Sequence, residues 1–351
     1  MRYITLFTYG FRPLKDHILG LLCSLNEEEF YKMIIFSDTK DPDILKAIEK
    51  IDKNKISLIS SKKLFQIFKY CLLSDLIFGN PKGIKKYIIF LAQLINRNAI
   101  RVILTPGIIL KATGYFKRER SAYYFSKLHI RNVLVNILFR FIIITPTNEF
   151  MVYLSAAFFY PTNLLINYPL PKNIFFSSKV CNQNKKNIIL FSPTHRWDNE
   201  ISPIEILLSD EKFINSISDK NFQIRYTLHP LYPKQKVKFC ESVSLFDSDW
   251  ENVFSLVTDY SSIGYDYLYA GGGNLIYYIP DIIKFEANQG NGPLFQSHIN
   301  QNLTLNTKQQ LLDKLNYLMK MGEKVNNFEN KDLNMNFKNY FYNLNKKCRE
   351  S

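Results

Sequence analysis

At 351 residues the chain exceeds the size at which one hydrophobic core stops growing, and its 46% apolar and 15% aromatic residues can fill two, which excludes disorder except at the C-terminus. Forty-five Lys and Arg against 31 Asp and Glu leave a net charge of +14, which suits nucleic acid, an acidic membrane surface or a phosphorylated substrate, while an AT-rich codon bias accounts for it as readily. Five cysteines, Cys23, Cys71, Cys181, Cys240 and Cys348, form no C-x-x-C pair, which excludes a cysteine-based zinc or redox motif and fits a reducing compartment.

The N-terminal "MRYITLFTYGFRP" lacks the long apolar stretch and cleavage site of a signal peptide and reads as a first strand. Short runs rich in Ile, Val, Phe and Tyr follow: "KMIIFS", "RVILT", "FIIIT", "NIILFS", "QIRYTL", "VSLF", "VFSLVT" and "NLIYYI". Between them the spacing predicts helices near 14–25, 41–52, 62–78, 118–138, 147–158, 203–217, 262–270 and 308–322. Strands alternating with crossover helices make the fold class α/β. The stretch "NVLVNILFRFIIIT" is too short to cross a bilayer and contains Arg140, so the expected location is cytoplasmic, with a peripheral position on the inner face of the membrane open. Basic and aromatic residues interleave just before it. Lys117, Arg118, Arg120, Lys127 and Arg131 could face anionic headgroups or form an ordinary solvated helix face.

The stretch 167–187, with two prolines, paired serines and a Lys/Asn cluster, reads as a linker. It separates an N-terminal Rossmann-like, acceptor-side domain, 1–170, from a C-terminal Rossmann-like, nucleotide-donor domain, 171–330. Residues 331–351 read as a closing helix returning to the first.

Three strand ends in the second half deliver polar residues. "NIILFSPTHRWDN" ends in Thr194, His195 and Arg196, "FQIRYTLHPLYP" in His229, and "VFSLVTDYSSIGYDYL" in Asp259, Ser261 and Ser262. In open α/β sheets ligands bind beyond the carboxyl ends of the strands, so the three clusters can share one crevice. Ser261 and Ser262 between strand and helix suit a phosphate, and Asp259 a ribose hydroxyl, a backbone amide or the turn itself. The plainer alternative makes Ser261 an N-cap and Asp259 a turn residue. His229 can donate to a diphosphate oxygen or protonate a leaving group, Arg196 can grip a phosphate bidentately, and His195 is a second titratable group beside it.

In their order, "FSPTHRWD", "YTLHP" and "LVTDYSSIGYDYL" resemble the CDP-glycerol glycerophosphotransferase family of teichoic-acid and capsule primases and polymerases. Weaker matches at "IITPTNEFMVYLSAAF" and "LLINYPLPKNIFF" extend the resemblance over about residues 104 to 295. It implies a GT-B fold, two Rossmann-like domains with parallel sheets flanking a cleft, and a CDP-linked donor held by the C-terminal domain through Ser261, Ser262, His229, Thr194 and Arg196. The implied partners are that donor and a lipid-linked or polymer acceptor, with no cofactor and no metal; the basic and aromatic stretch leaves an anionic membrane surface open, and nucleic acid is not expected because no recognised binding motif accompanies the charge.

The family's acceptor-side motif, close to Trp-His-Gly-Thr-Pro-Leu-Lys, falls on "TPGIILKATGY", which keeps Gly107 and Lys111 and has Pro106 where the histidine stands. Proline accepts no proton, so His17 or His195 becomes the candidate base, or the chemistry differs, or activity is lost. The usual lysine before His-Pro is Thr227, and "AGGGN" replaces Asp-Lys-Pro. Two other readings remain. One is a glycosyltransferase using CMP-sialic acid or CMP-Kdo, with Asp16 or Asp38 as base; the other is a non-catalytic nucleotide-binding partner in capsule assembly.

Overall fold

The computed structural model describes residues 2–7, 15–26, 28–37, 41–79, 84–105, 130, 141–158, 160–180, 187–194, 196, 201–227, 237–243, 250–269, 272–288, 304–321 and 339–350. The described residues divide into two compact units. The first takes residues up to Phe175 together with 339–350, the second those from Phe176 to Met321.

In the first unit the β-branched runs become strands β1 (Arg2–Phe7), β2 (Tyr31–Phe36), β3 (Ile56–Ile59), β4 (Ser74–Phe78), β5 (Ile100–Leu104), β6 (Phe141–Thr145) and β7 (Leu165–Asn167). They pair in the order β3-β2-β1-β4-β5-β6-β7, and every pair is parallel. Parallel neighbours need crossovers. These include helices α1 (Lys15–Asn26), α2 (Pro42–Glu49), α3 (Leu64–Leu73) and α4 (Ile84–Ile95), with α5 (Asn148–Phe158) after β6 and α6 (Pro171–Val180) after β7. Ile67 and Cys71 of α3 and Ile89 and Ala92 of α4 bury against Phe7, Ile34, Phe36 and Ile77 of the sheet. The chain leaves β1 toward β2 and β3, then returns to the other side of β1 as β4, so this sheet switches direction between β1 and β4.

The second unit holds β8 (Ile188–Ser192), β9 (Gln223–Thr227), β10 (Glu241–Val243), β11 (Val253–Thr258), β12 (Asn274–Tyr278) and β13 (Thr304–Leu305), in the order β10-β9-β8-β11-β12-β13. All pairs are again parallel. Helices α7 (Pro203–Leu208), α8 (Glu211–Ser218), α9 (Ile263–Tyr269), α10 (Ile282–Asn288) and α11 (Lys308–Met321) complete it. Ile204, Leu208, Phe213, Ile217, Leu311 and Leu315 of α7, α8 and α11 join Phe191, Tyr226 and Val257 of the sheet in one buried cluster. The switch of direction here lies between β8 and β11.

Helix α12 (Tyr340–Glu350) belongs to the first unit. Glu28 Oε2 accepts the Phe341 N–H at 3.0 Å, the Tyr340 hydroxyl donates to the Pro169 carbonyl at 2.8 Å, and the Asn345 amide donates to the Tyr31 hydroxyl at 2.7 Å. Burial raises the Glu28 carboxyl above its ordinary value, and backbone N–H donors, Phe30 and Phe341 among them, oppose that rise.

The structure corrects the local reading in several places. The helix expected over 62–78 stops at Leu73, and Ser74–Phe78 is the central strand β4. Periodicity cannot separate a buried strand from a buried helix, and pairing with β1 decides it, helped by a 2.8 Å hydrogen bond between the Ser74 and Thr5 hydroxyls. The linker expected at 167–187 contains α6, which opens on Pro171 with the proline fixed at the first helical position. The helix expected over 203–217 divides at Asp210, whose carboxylate accepts the Phe213 N–H at 3.2 Å and starts α8. The strand read at "VSLF" pairs instead over Glu241–Val243, while α4, α10, β3, β7 and β13 lie where no element was expected. The predicted helix over 118–138 lies outside the described residues, apart from Ile130.

Candidate functional site

The second unit places its polar strand ends at the switch point. Strands β8 and β11 run in register with Ser192 opposite Thr258, so the residues that follow each emerge side by side. Hydroxyls tie the ends together. Thr258 Oγ1 donates to the Ser192 carbonyl at 2.7 Å, and Thr227 Oγ1 of β9 bonds Ser192 Oγ at 2.8 Å. Thr227, where the resemblance expects lysine, is thus a buried link between β8 and β9.

Asp259 organises what emerges. Its Oδ1 accepts the N–H groups of Thr194 and Tyr260, both at 2.7 Å, joining the loop after β8 to the turn after β11. Its Oδ2 lies 3.1 Å from Arg196 Nη2. Asp281, just past β12, supplies a second carboxylate. Its Oδ2 accepts from Arg196 Nε at 3.2 Å and Nη2 at 2.9 Å, and its Oδ1 accepts the Tyr260 hydroxyl at 3.1 Å. Arg196 Nη1 donates to the Thr194 carbonyl at 3.1 Å. The guanidinium lies 5.1 Å from the ring centroids of both Tyr260 and Phe285, whose rings stack 3.5 Å apart.

Burial pulls the Arg196 pKa down, but Asp259 and Asp281 outweigh it and hold the guanidinium charged. Burial, with Asp281 and Asp259, pushes the Tyr260 phenol far above its ordinary value, so it stays a neutral donor.

This geometry reassigns Arg196. Read from sequence as a bidentate phosphate ligand, it donates three hydrogen bonds, two to Asp281 and one to the Thr194 carbonyl, and faces Asp259 Oδ2 as a charge at 3.1 Å. One guanidinium faces two carboxylates, so the cluster does not of itself attract an anion; it cross-links three strand ends. Asp259 takes the turn role among those open to it. Sequence reasoning missed Asp281 and Phe285, although "NLIYYIPD" is a fourth strand ending in a polar residue and the same logic finds it.

Groups able to meet a ligand surround that brace. The Thr194 hydroxyl is buried with no hydrogen-bond partner. Ser261 and Ser262 are half-buried; the Ser262 carbonyl accepts the Tyr265 N–H at 3.1 Å and opens α9, and Ser261 Oγ, one residue ahead, accepts the Ile263 N–H at 3.3 Å in a serine turn. Gly272, within the "AGGGN" departure, lies so close to Tyr267 that an added Cβ would sit 2.4 Å from its ring. A side chain there would displace the aromatic packing behind the site.

His17, a candidate base, is wholly buried in the first turn of α1, and neither ring nitrogen completes a hydrogen bond. Burial, then the nearby Lys172 charge, drives its pKa well below 6.5. It is therefore a neutral core imidazole, not one presented to substrate. Asp16 Oδ1 accepts the His17 N–H at 3.0 Å. His195, His229, Gly107, Lys111, Pro106 and Asp38 lie outside the described residues. Among the described residues no group of three His, Cys, Asp or Glu could hold a metal ion, and no helix is long and apolar enough to cross a membrane.

Residues 105–345 match the family described as CDP-glycerol:poly(glycerophosphate) glycerophosphotransferase, more than half of the chain. The chain belongs to this family. It is accordingly a CDP-glycerol glycerophosphotransferase-like enzyme. Comparison with curated proteins found no match.

Among solved structures this glycerophosphotransferase-like chain is similar to the wall teichoic acid polymerase TagF, at 15% identity and a TM-score of 0.61 over 99% of this chain and 89% of that one. A TagF variant soaked with CDPG gives 14% and 0.62 over the same shares. A UDP-GlcNAc 2-epimerase from Neisseria meningitidis bound to UDP-GlcNAc follows at 12% and 0.54, with all of both chains covered. At such identities the likeness speaks for the fold. The GT-B-type α/β class expected from the sequence, with two units built on parallel sheets, is the class found.

Proposed function

We propose that the protein transfers a glycerol-phosphate, or a related polyol-phosphate, from a CDP-linked donor to a hydroxyl of a cell-surface polymer or lipid-linked acceptor. The acceptor oxygen attacks the distal phosphorus, the bond from that phosphorus to the bridging oxygen breaks, and CMP leaves with the electron pair. The observation that carries this reading is the convergence of Thr194, Ser261 and Ser262 on one strand switch point, braced by Asp259 and Arg196, in a chain of this family.

In this reading the Ser261, Ser262 and Thr194 hydroxyls hold the donor phosphates, and His229 meets the diphosphate. The acceptor proton falls to His195 or His229, which the chain carries just past β8 and β9. Preorganised donors lower the barrier by meeting the charge that builds on the transferring group.

The test incubates purified protein with CDP-glycerol, CDP-ribitol, CMP-sialic acid and CMP-Kdo, with and without lipid-linked acceptors, and measures CMP release. Acceptor-dependent release from a CDP-polyol is the expected result. Turnover confined to a CMP-sugar rejects the assignment, and binding without release makes the protein a non-catalytic partner.

A further inference from the structure

A cavity of about 580 Å³ opens at the amino ends of β1 and β4 in the first unit. On one side it is lined by Arg2, the first residue of β1, and by Asp75, the second of β4, two strands that pair in parallel. On the other side α12 contributes Tyr342, Asn345, Lys346 and Arg349. Their spacing of i, i+3, i+4 and i+7 puts the four on one helix face. The volume falls within the roughly 300–1,000 Å³ of small-molecule sites. Open α/β sheets hold their ligands beyond the carboxyl ends of the strands, so a cavity at the amino ends is separate from the switch-point crevice of its own sheet.

Charge in this cavity is unbalanced. Arg2, Lys346 and Arg349 face a single lining carboxylate, Asp75. Glu350 lies 4.0 Å from Lys346 on the same helix, and with it counted the cations still exceed the carboxylates. The Arg196 brace has the opposite ratio, two carboxylates to one guanidinium. The ion pairs are also loose. Arg2 Nε stands 3.7 Å from Asp75 Oδ2 and Arg349 Nη2 stands 3.4 Å from Oδ1, both longer than the ~2.7–2.9 Å of a tight charge-assisted bond. Arg349 Nε donates to Asn345 Oδ1 at 3.1 Å, which steadies the guanidinium. Asp75 Oδ2 is buried with no hydrogen-bond partner, a costly state that a ligand hydroxyl would relieve. Pinning α12 to the sheet does not account for the cluster, because Glu28, Tyr340 and Asn345 already do so through bonds of 3.0, 2.8 and 2.7 Å.

We propose that this cavity binds a small, soluble phosphate ester that carries free hydroxyl groups. Arg2 and Arg349 grip the phosphate through their planar donors, Lys346 adds a point charge, and a hydroxyl of the ligand donates to Asp75 Oδ2. No bond is made or broken there. The site lies in the first unit, whereas the proposed donor site is built by the second, so the inference stands apart from the transferase reading.

The experiment titrates the full chain by calorimetry with glycerol 3-phosphate, inorganic phosphate and glycerol, at low and high salt. Glycerol 3-phosphate is expected to bind at least about tenfold more tightly than inorganic phosphate and less tightly in salt, and glycerol not to bind. Lys346, 65% exposed, has Glu350 of its own helix as its charged partner among the described residues, so Lys346→Gln keeps the melting temperature and lowers affinity for the ester by about tenfold. Asp75→Asn retains inorganic phosphate and erases the preference for the ester. No binding, equal affinity for the ester and inorganic phosphate, or full binding by Lys346→Gln overturns the proposal. So does loss of binding in Ser261→Ala with Ser262→Ala, which would put the ligand at the donor site. CMP release, measured in parallel, reports on the transferase reading alone.

Discussion

Asp259 and Arg196 meet at 3.1 Å with side chains 1% and 6% exposed, an ion pair sealed inside the point where β8 and β11 part. Its partners reach three strand ends, so the pair sets the shape of the surface on which the donor is proposed to sit. Removing one charge of a buried pair strands the other. Asp259→Asn is expected to destabilise by about 3–5 kcal/mol. Asp281, with a side chain 20% exposed, is more readily replaced by water, and Asp281→Asn should cost about 1–2 kcal/mol. Urea unfolding of both variants checks the order; equal costs would show that Asp281 shares the burial energetics of Asp259.

The serines separate two roles by size. As a turn residue alone, Ser261→Ala lowers stability by about 1 kcal/mol and leaves donor KM unchanged. If the hydroxyls also hold phosphate, Ser261→Ala with Ser262→Ala raises donor KM by about tenfold or more at the same stability cost. Steady-state kinetics against the CDP-linked donor, with a melting curve on the same sample, decides between them.

Gly20 is a packing requirement. It sits within α1, where alanine ordinarily gains about 1 kcal/mol over glycine. An added Cβ, however, would lie 1.8 Å from the Pro171 carbonyl oxygen, and backbone cannot swing aside as a side chain does. Gly20→Ala is expected to destabilise by about 2–4 kcal/mol, read as a fall in the melting temperature. A stabilised variant would mean that α1 and the start of α6 are free to separate.

Acid should weaken the first unit through His17. Its folded pKa lies well below the ordinary 6.5, so below pH 6.5 the unfolded chain binds a proton that the folded chain refuses. Stability is therefore lost as pH falls from 6.5 toward the folded value, by up to about 1.4 kcal/mol per pH unit from this group. His17→Gln removes the titration. Denaturant midpoints from pH 7.5 to 5 should show a shallower slope in the variant, and parallel slopes would place the acid sensitivity elsewhere.

Much of the architecture was readable locally. Runs such as "NIILFS" and "VFSLVT" are buried on both faces, so they are nearly continuous apolar stretches with only small hydroxyl residues interposed, and the strand shows itself without partners. The run "SDLIF" was absorbed into a neighbouring helix because its signal is no different from that of a buried helix turn; only pairing with β1 distinguishes it. Helix α4 escaped notice for a related reason: its polar residues are only Lys85, Lys86 and Gln93, too few to mark out a solvent face against the apolar residues around them.

The sequence by itself determined the α/β class, the family and the arrival of Thr194, Arg196, Asp259, Ser261 and Ser262 at strand ends, because these follow from short-range pattern and motif order. The tertiary structure decided what those residues do to one another. Arg196 and Asp281 are 85 positions apart, and Thr194 and Asp259 are 65. Strand order alone brings such pairs together, and charge and burial then settle whether a guanidinium faces a ligand or the protein's own carboxylates. The same holds for His17: a histidine in a helix's first turn reads as available until the packing around it shows the ring buried and neutral.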